Sequence, residues 1–228
     1  RAELGEPPVT LDYPLPFGQD ADGRAVWRDL MSLGHLLLGG QPGGGKSTWI
    51  NAALVALLRR HGPATLQLVL VDPKAVELSF YRDLPHLARP VATDAEQAAD
   101  VVDFLVAEMT RREQLLVAAH VKDLGRYNAQ TQEPLPVLLA VFDEVTDLVI
   151  TWGGSETEPF RQLTRVASKG RALGIHLMLA TQNPKAKILD TAIRELCSTR
   201  VAFKVDTVLH SKSILGRGGA EQIPPGKP

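Results

Sequence analysis

Cysteine is almost missing from this chain: among 228 residues there is one, Cys197. No intrachain disulfide can form, and the apolar residues around Cys197 predict a buried thiol in a protein of the reducing cytoplasm. Aromatic residues make up 5% of the sequence, too few for the stacking platforms on which single-strand nucleic-acid binders lay successive bases. Neither sign of charge dominates. Lys and Arg total 25 and Asp and Glu 26, for a formal net charge of -1. Contact with a polyanion must therefore come from a local basic patch, or from several copies gathered together. The six histidines show no metal-ligand spacing and there is no Cys-x-x-Cys, which argues against a transition-metal site. No apolar run reaches the roughly 18 residues of a membrane span. The opening RAELGEPP lacks the pattern of a signal peptide and reads as a segment of a longer protein.

What is present is globular. Hydrophobic residues make up 44% and charged residues 22%, which excludes disorder and coiled coil. The length fits one large domain with its own core. Residues 1–14, polar and Pro-rich, read as a linker, and 15–228 as the domain. Asp20-Ala21-Asp22-Gly23 between two short apolar runs predicts a hairpin over 15–30. Short apolar runs follow at 35–40, 66–72, 136–144, 175–182 and 198–205. They read as strands buried on both faces of a parallel sheet. Between them the spacing predicts helices. One carries Trp49, Ala52, Ala53 and Ala56 on a common face and ends at Gly62-Pro63. A long one, opened by a capping box at Thr93–Glu96, carries a stripe of Val102, Leu105, Val106 and Met109. A third runs from Phe160 to Leu173. Residues 121–134 read as irregular. Alternating strands and helices define an α/β fold with a mainly parallel sheet. Ligands of such sheets bind at the carboxyl ends of the strands.

Those ends carry the chemistry. Gly40-Gln41-Pro42-Gly43-Gly44-Gly45-Lys46-Ser47 fits the pattern G-x-x-x-x-G-K-[ST], with a buried strand before it and an amphipathic helix after it. Glycines let consecutive N–H groups turn inward around an anion, the helix after Lys46 aims its positive end at the same place, and Gly40 to Thr48 form the candidate cofactor-binding segment. Lys46 is the candidate for the β/γ-phosphates and Ser47 for Mg²⁺. A second strand ends in Asp143-Glu144. An aspartate there can hold Mg²⁺ through water, and the neighbouring glutamate can polarise an attacking water. Taken alone, the pair also fits a helix N-cap. Gln182, after Ala180-Thr181, fits either a γ-phosphate sensor or a polar strand end. No [NT]-K-x-D segment is present, so ATP is favoured over GTP.

Several longer segments resemble the motor domain of the FtsK/SpoIIIE family. They include Phe17–Asp20, HLLLGGQPGGGKS, VDPKAVELSFYRDLPHL and the Glu108-Met109-x-Arg111-Arg112 helix. FDEVTDL, KGRALGIHLMLATQNP, STRVAF and SILGRGGAEQI continue the match over nearly the whole chain. Asp72-Pro73-Lys74 and the run from Arg171 to Gln182 are more specific than the phosphate loop. The resemblance implies a RecA-like P-loop NTPase that assembles as a homo-hexamer around double-stranded DNA and drives it through the ring with ATP. It puts Lys46, Ser47, Asp143 and Glu144 in the nucleotide site and Gln182 at the sensor position. It makes Arg171 an arginine reaching a neighbouring subunit's nucleotide. On residue type alone, Arg171 reads as a helix-end cation paired with the dipole.

The family's DNA-facing loops fall on Asn183, Lys185, Lys187 and Arg194, and then on Lys212, which singly fit a solvated basic surface as well. Asn183 stands where the family usually has arginine, and a usual basic residue is replaced near Val208. The C-terminal IPPGKP reads as a truncated end, and any membrane contact would come through segments absent from this chain. The alternatives are an ATPase energising protein secretion, whose members tend to read D-F-K-G where this chain has Asp72-Pro73-Lys74-Ala75, and a nucleotide-bound scaffold.

Overall fold

Strands that alternate their side chains between two apolar faces organise the molecule. The computed structural model describes residues 5–183 and 192–224. A hairpin of β1 (Pro14–Gln19) and β2 (Ala25–Asp29) forms a separate antiparallel pair. Asp20 turns it by accepting from the Asp22 and Arg24 N–H groups at 3.0 and 2.8 Å. The main sheet contains β3 (Leu36–Gly39), β4 (Leu66–Val71), β5 (Val137–Phe142), β6 (Ile175–Thr181) and β7 (Thr199–Ala202). The spatial order is β4-β5-β6-β3-β7, every pair parallel. All five carboxyl ends therefore share one edge. The order reverses at β3, where an α/β sheet opens its ligand crevice.

Leu138, Ala140 and Phe142 of β5 face one core; Val137, Leu139 and Val141 face the other. Against the first core pack α2 (Ala95–Ala118), α4 (Val145–Trp152) and α5 (Glu158–Lys169). Against the second pack α1 (Lys46–Leu58), the hairpin through Leu15 and Leu30, and α3 (Leu124–Gln130) through Leu124. Two shorter helices, α6 (Ala192–Leu196) and α7 (Val208–Leu215), flank β7. Ahead of the hairpin, Tyr13 stacks on His61 with ring centroids 4.0 Å apart, and Asp12 accepts from the His61 ring at 2.7 Å.

Several expectations shift in detail. The buried stripe of α1 is Ile50, Ala53, Leu54 and Leu57, whereas Ala52 is exposed and Trp49 half-buried. Ile50, Leu54 and Leu57 carry more apolar surface than the alanines, so their burial sets which side of the helix faces the core. The helix ends at Leu58, ahead of Gly62-Pro63. The capping box of α2 sits one residue later than expected. Asp94 accepts from the Gln97 N–H at 2.8 Å, and the Gln97 side chain accepts from the Thr93 N–H at 3.0 Å. Residues 124–130, expected to be irregular, form α3. Asp123 caps it by accepting from Arg126 N–H at 2.9 Å, and Leu124 and Tyr127 bury its inner face. The helix expected from Phe160 to Leu173 is α5 plus a 3-10 turn, Gly170–Leu173. The predicted buried thiol, Cys197, is fully enclosed, and burial pushes its pKa up to about 12.

Candidate nucleotide site

The phosphate loop leaves β3 at the point where the sheet reverses. Gly40 N–H donates to Thr181 at 3.2 Å, and Gln41 N–H to the Lys204 carbonyl at 2.8 Å. These bonds tie the loop to both neighbouring strands. Gly43 and Gly45 take φ of 72° and 101°, in the left-handed region that side chains resist. Gly44 is required for space: a Cβ there would stand 2.9 Å from the Gln41 carbonyl and 3.2 Å from that of Lys204. Gly45 is the N-cap of α1, with no side chain capping the first N–H groups. The end of α1 is thus left with donors for an anion. Pro42 and Thr48 are exposed and Ser47 is half-buried.

Lys46 turns inward. Its ammonium pairs with the Asp143 carboxylate, and both side chains are almost wholly enclosed. Asp143 extends β5 by one step, donating its N–H to Val71 at 2.9 Å. Glu144 follows with φ 69° and ψ 52°, a left-handed conformation in a residue that has a Cβ. Its side chain is 1% exposed. One carboxylate oxygen accepts from the Thr181 hydroxyl at 2.7 Å, and the other from the Gln182 backbone N–H at 2.8 Å. The Lys74 ammonium stands 3.7 Å from that second oxygen and 3.6 Å from Asp147. Thr181 in turn accepts from Thr146 at 2.8 Å and from the Asn183 N–H at 3.0 Å. The structure therefore gathers Lys46, Ser47, Asp143, Glu144 and Gln182 at one edge of the sheet. Gln182 meets Glu144 through its backbone, not its amide.

Two partners of Glu144, Thr181 and Lys74, lie in segments that mark the resemblance, but the sequence assigns neither a role in the site. Lys74 carried a signal all the same. It is a charged residue just past the end of a buried strand, where such sheets place their chemistry.

Arg171 lies at the opposite edge. It precedes β6, whose seven residues span about 20 Å, so it cannot reach the loop of its own chain. It is exposed on the 3-10 turn and donates to the Ser32 carbonyl at 3.3 Å. That turn is pinned from behind. Arg112, fully buried, donates to Glu108 at 2.7 Å and to the Leu173 carbonyl at 2.9 Å. Burial raises the Glu108 pKa, but its bonds to Arg111 and Arg112 outweigh this and hold it below the usual carboxylate value. Nearby, burial of His35 lowers its pKa, against a 2.8 Å bond from its ring to Ala167.

Of the residues expected near DNA, Arg194 and Lys212 meet: the Arg194 guanidinium donates to the Lys212 carbonyl at 3.4 Å. Asn183 follows the end of β6. Lys185 and Lys187 lie outside the described residues.

A glycine-built anion cradle at the end of β3, with paired carboxylates at the end of β5, beyond β6 along the same sheet edge, defines a P-loop NTPase, and the structural neighbours are P-loop ATPases. The chain belongs to the FtsK/SpoIIIE family, whose model matches residues 10–186. The DNA translocase FtsK of Pseudomonas aeruginosa is 37% identical over 236 residues, covering 92% of this chain and 29% of that protein. The DNA translocase FtsK of Helicobacter pylori is 40% identical over 213 residues, covering 92% and 25%. The chain thus spans between a quarter and a third of the length of these relatives.

Among solved structures, the pCW3 conjugation coupling protein TcpA, in monomer form with ATPγS, aligns with a TM-score of 0.79 at 26% identity. The match covers 94% of this chain and 61% of that one. The cytoplasmic domain of the Thermomonospora curvata type VII secretion ATPase EccC aligns with a TM-score of 0.80 at 26% identity, over 99% and 28%. Among the described residues no helix is long and apolar enough to cross a membrane.

Proposed function

We propose that this chain is the motor portion of an ATP-driven translocase of double-stranded DNA, working as a homo-hexameric ring in the cytoplasm. The observation that carries this is the joining of a glycine cradle to Asp143-Glu144, in a chain related to DNA translocases. Gly40–Thr48 receive the phosphates of ATP. On binding, Lys46 exchanges the Asp143 carboxylate for the β/γ-phosphates. The Ser47 hydroxyl and Asp143 are hard oxygen donors that suit Mg²⁺ and would hold it, and the ion neutralises phosphate charge when bound. Glu144 accepts a proton from the attacking water, and Gln182 senses the γ-phosphate.

Arg171 serves the nucleotide of the next subunit. This fits its place at the far edge of the sheet, and such a residue contributes about 10³-fold or more to rate. Asn183, Lys185, Lys187, Arg194 and Lys212 line the DNA path and contact phosphates, which position DNA without reading its sequence. Six copies around one duplex reconcile a near-neutral chain with a polyanion.

ATPase rate with and without long duplex DNA tests this. Stimulation by the duplex, falling as salt rises, is expected. Intact basal turnover with no stimulation would turn the reading to protein transport, which the EccC match over 99% of the chain favours as the second reading.

A further inference from the structure

Two acids stand side by side at the end of β5, and the structure gives each its own lysine: Lys46 pairs with Asp143 and Lys74 with Glu144. We propose that Lys74 is a positioning residue for Glu144: it holds that carboxylate in place by bridging it to Asp147. The inference rests on the reading of Glu144 as the base.

A buried carboxylate needs a cation or several donors to stay where it is. Thr181 and Gln182 supply two donors, both from the end of β6. Lys74 supplies the charge from β4, on the other side of β5. Without it, the lysine already paired at the end of β5 is Lys46, which is needed at the phosphates. Glu144 would then turn toward Lys46, and the two acids would compete for one cation.

The segment carrying Lys74 is built to hold it. Asp72 is fully buried and accepts from the Glu77 and Leu78 N–H groups at 2.9 and 2.8 Å. Ala75 closes the turn at φ 52°, donating its N–H to the Asp72 carbonyl at 2.9 Å. Farther along, the Tyr81 hydroxyl donates to Asn51 at 2.6 Å, and Asn51 donates to the Ser47 carbonyl at 3.0 Å. One segment thus touches Glu144 at one end and the helix of the phosphate loop at the other. Lys74 is half-exposed, so its replacement leaves the core intact.

The test is steady-state and single-turnover ATPase of the parent, Lys74→Met, Lys74→Arg, Glu144→Gln and the Lys74→Met/Glu144→Gln double variant. Lys74→Met should lower kcat by about 10- to 100-fold, the size of loss that small misplacement of a catalytic group produces. KM for ATP should stay within about threefold. Arginine at 74 can still bridge two carboxylates and should restore kcat to within about fivefold. The double variant should be no slower than Glu144→Gln alone.

An unchanged kcat, or a raised KM at constant kcat, would overturn the proposal, the latter by making Lys74 a phosphate contact. Losses that multiply in the double variant would overturn it while leaving the base reading in place. Parent-like turnover by Glu144→Gln would remove the base reading and this inference together.

Discussion

His176 sets an acid limit on the fold. It is the second residue of β6, opposite Leu139 of β5, with no exposed surface. Neither ring nitrogen has a hydrogen-bond partner among the described residues. The His35 ring stands 6.4 Å away, edge on. Burial above all, then His35 and Arg171, lower its pKa to about 3 from 6.5; Asp29 opposes them weakly. A base whose pKa is depressed by folding contributes full stability above its unfolded pKa. That stability is lost as pH falls from about 6.5 toward 3.

The whole shift is worth about 5 kcal/mol, and about 3 kcal/mol of it is gone by pH 4.5. This is a large part of the 5–15 kcal/mol typical of a domain. Leucine has a similar volume and no polar atoms to bury. His176→Leu should therefore be as stable as the parent at pH 7.5 or more so, and should lose about 3 kcal/mol less between pH 7.5 and 4.5. Urea unfolding at the two pH values measures both. Equal losses in parent and variant would show that His176 is not the group that charges.

Other outcomes follow from the nucleotide site. Gly44→Ala should weaken ATP binding and cost about 1–3 kcal/mol of stability, because backbone carbonyls crowd the new Cβ; calorimetric titration and denaturant unfolding read the two effects. Lys46→Ala should lose ATP affinity and destabilise the apo chain by about 3 kcal/mol or more, leaving Asp143 buried without its cation; thermal melts with and without ATP check this. Arg171→Ala should be inactive alone, yet recover ATPase when mixed with Glu144→Gln subunits. Absence of recovery would remove the role across the subunit interface.

The nucleotide loop and the acids at 143–144 were legible in the sequence because their chemistry is local. Each motif sits within a few residues and is bracketed by a strand and a helix. The strands were legible for a similar reason, since a run such as Leu138–Phe142 buried on both faces needs no periodicity. Helix faces were less so. In α1 the alanines obscured Ile50, Leu54 and Leu57, and in α3 only two apolar residues reach the core.

Which residues meet across the fold was not written in any one segment. Lys74 meets a residue 70 positions away, and Arg112 supports a turn 61 positions away. His176 looks like any histidine in an apolar run until β3 and β5 close on either side of it. The place of Arg171 ahead of β6, away from the phosphate loop of its own chain, follows from the direction and length of β6 and not from residue type.

The claim that ATP turnover at this site moves duplex DNA is tested most directly by displacement of a third strand from a long duplex. The account predicts ATP-dependent displacement by the parent chain, abolished in Glu144→Gln although that variant still binds ATP. Duplex-stimulated hydrolysis with no strand displaced, or displacement undiminished in Glu144→Gln, would contradict it.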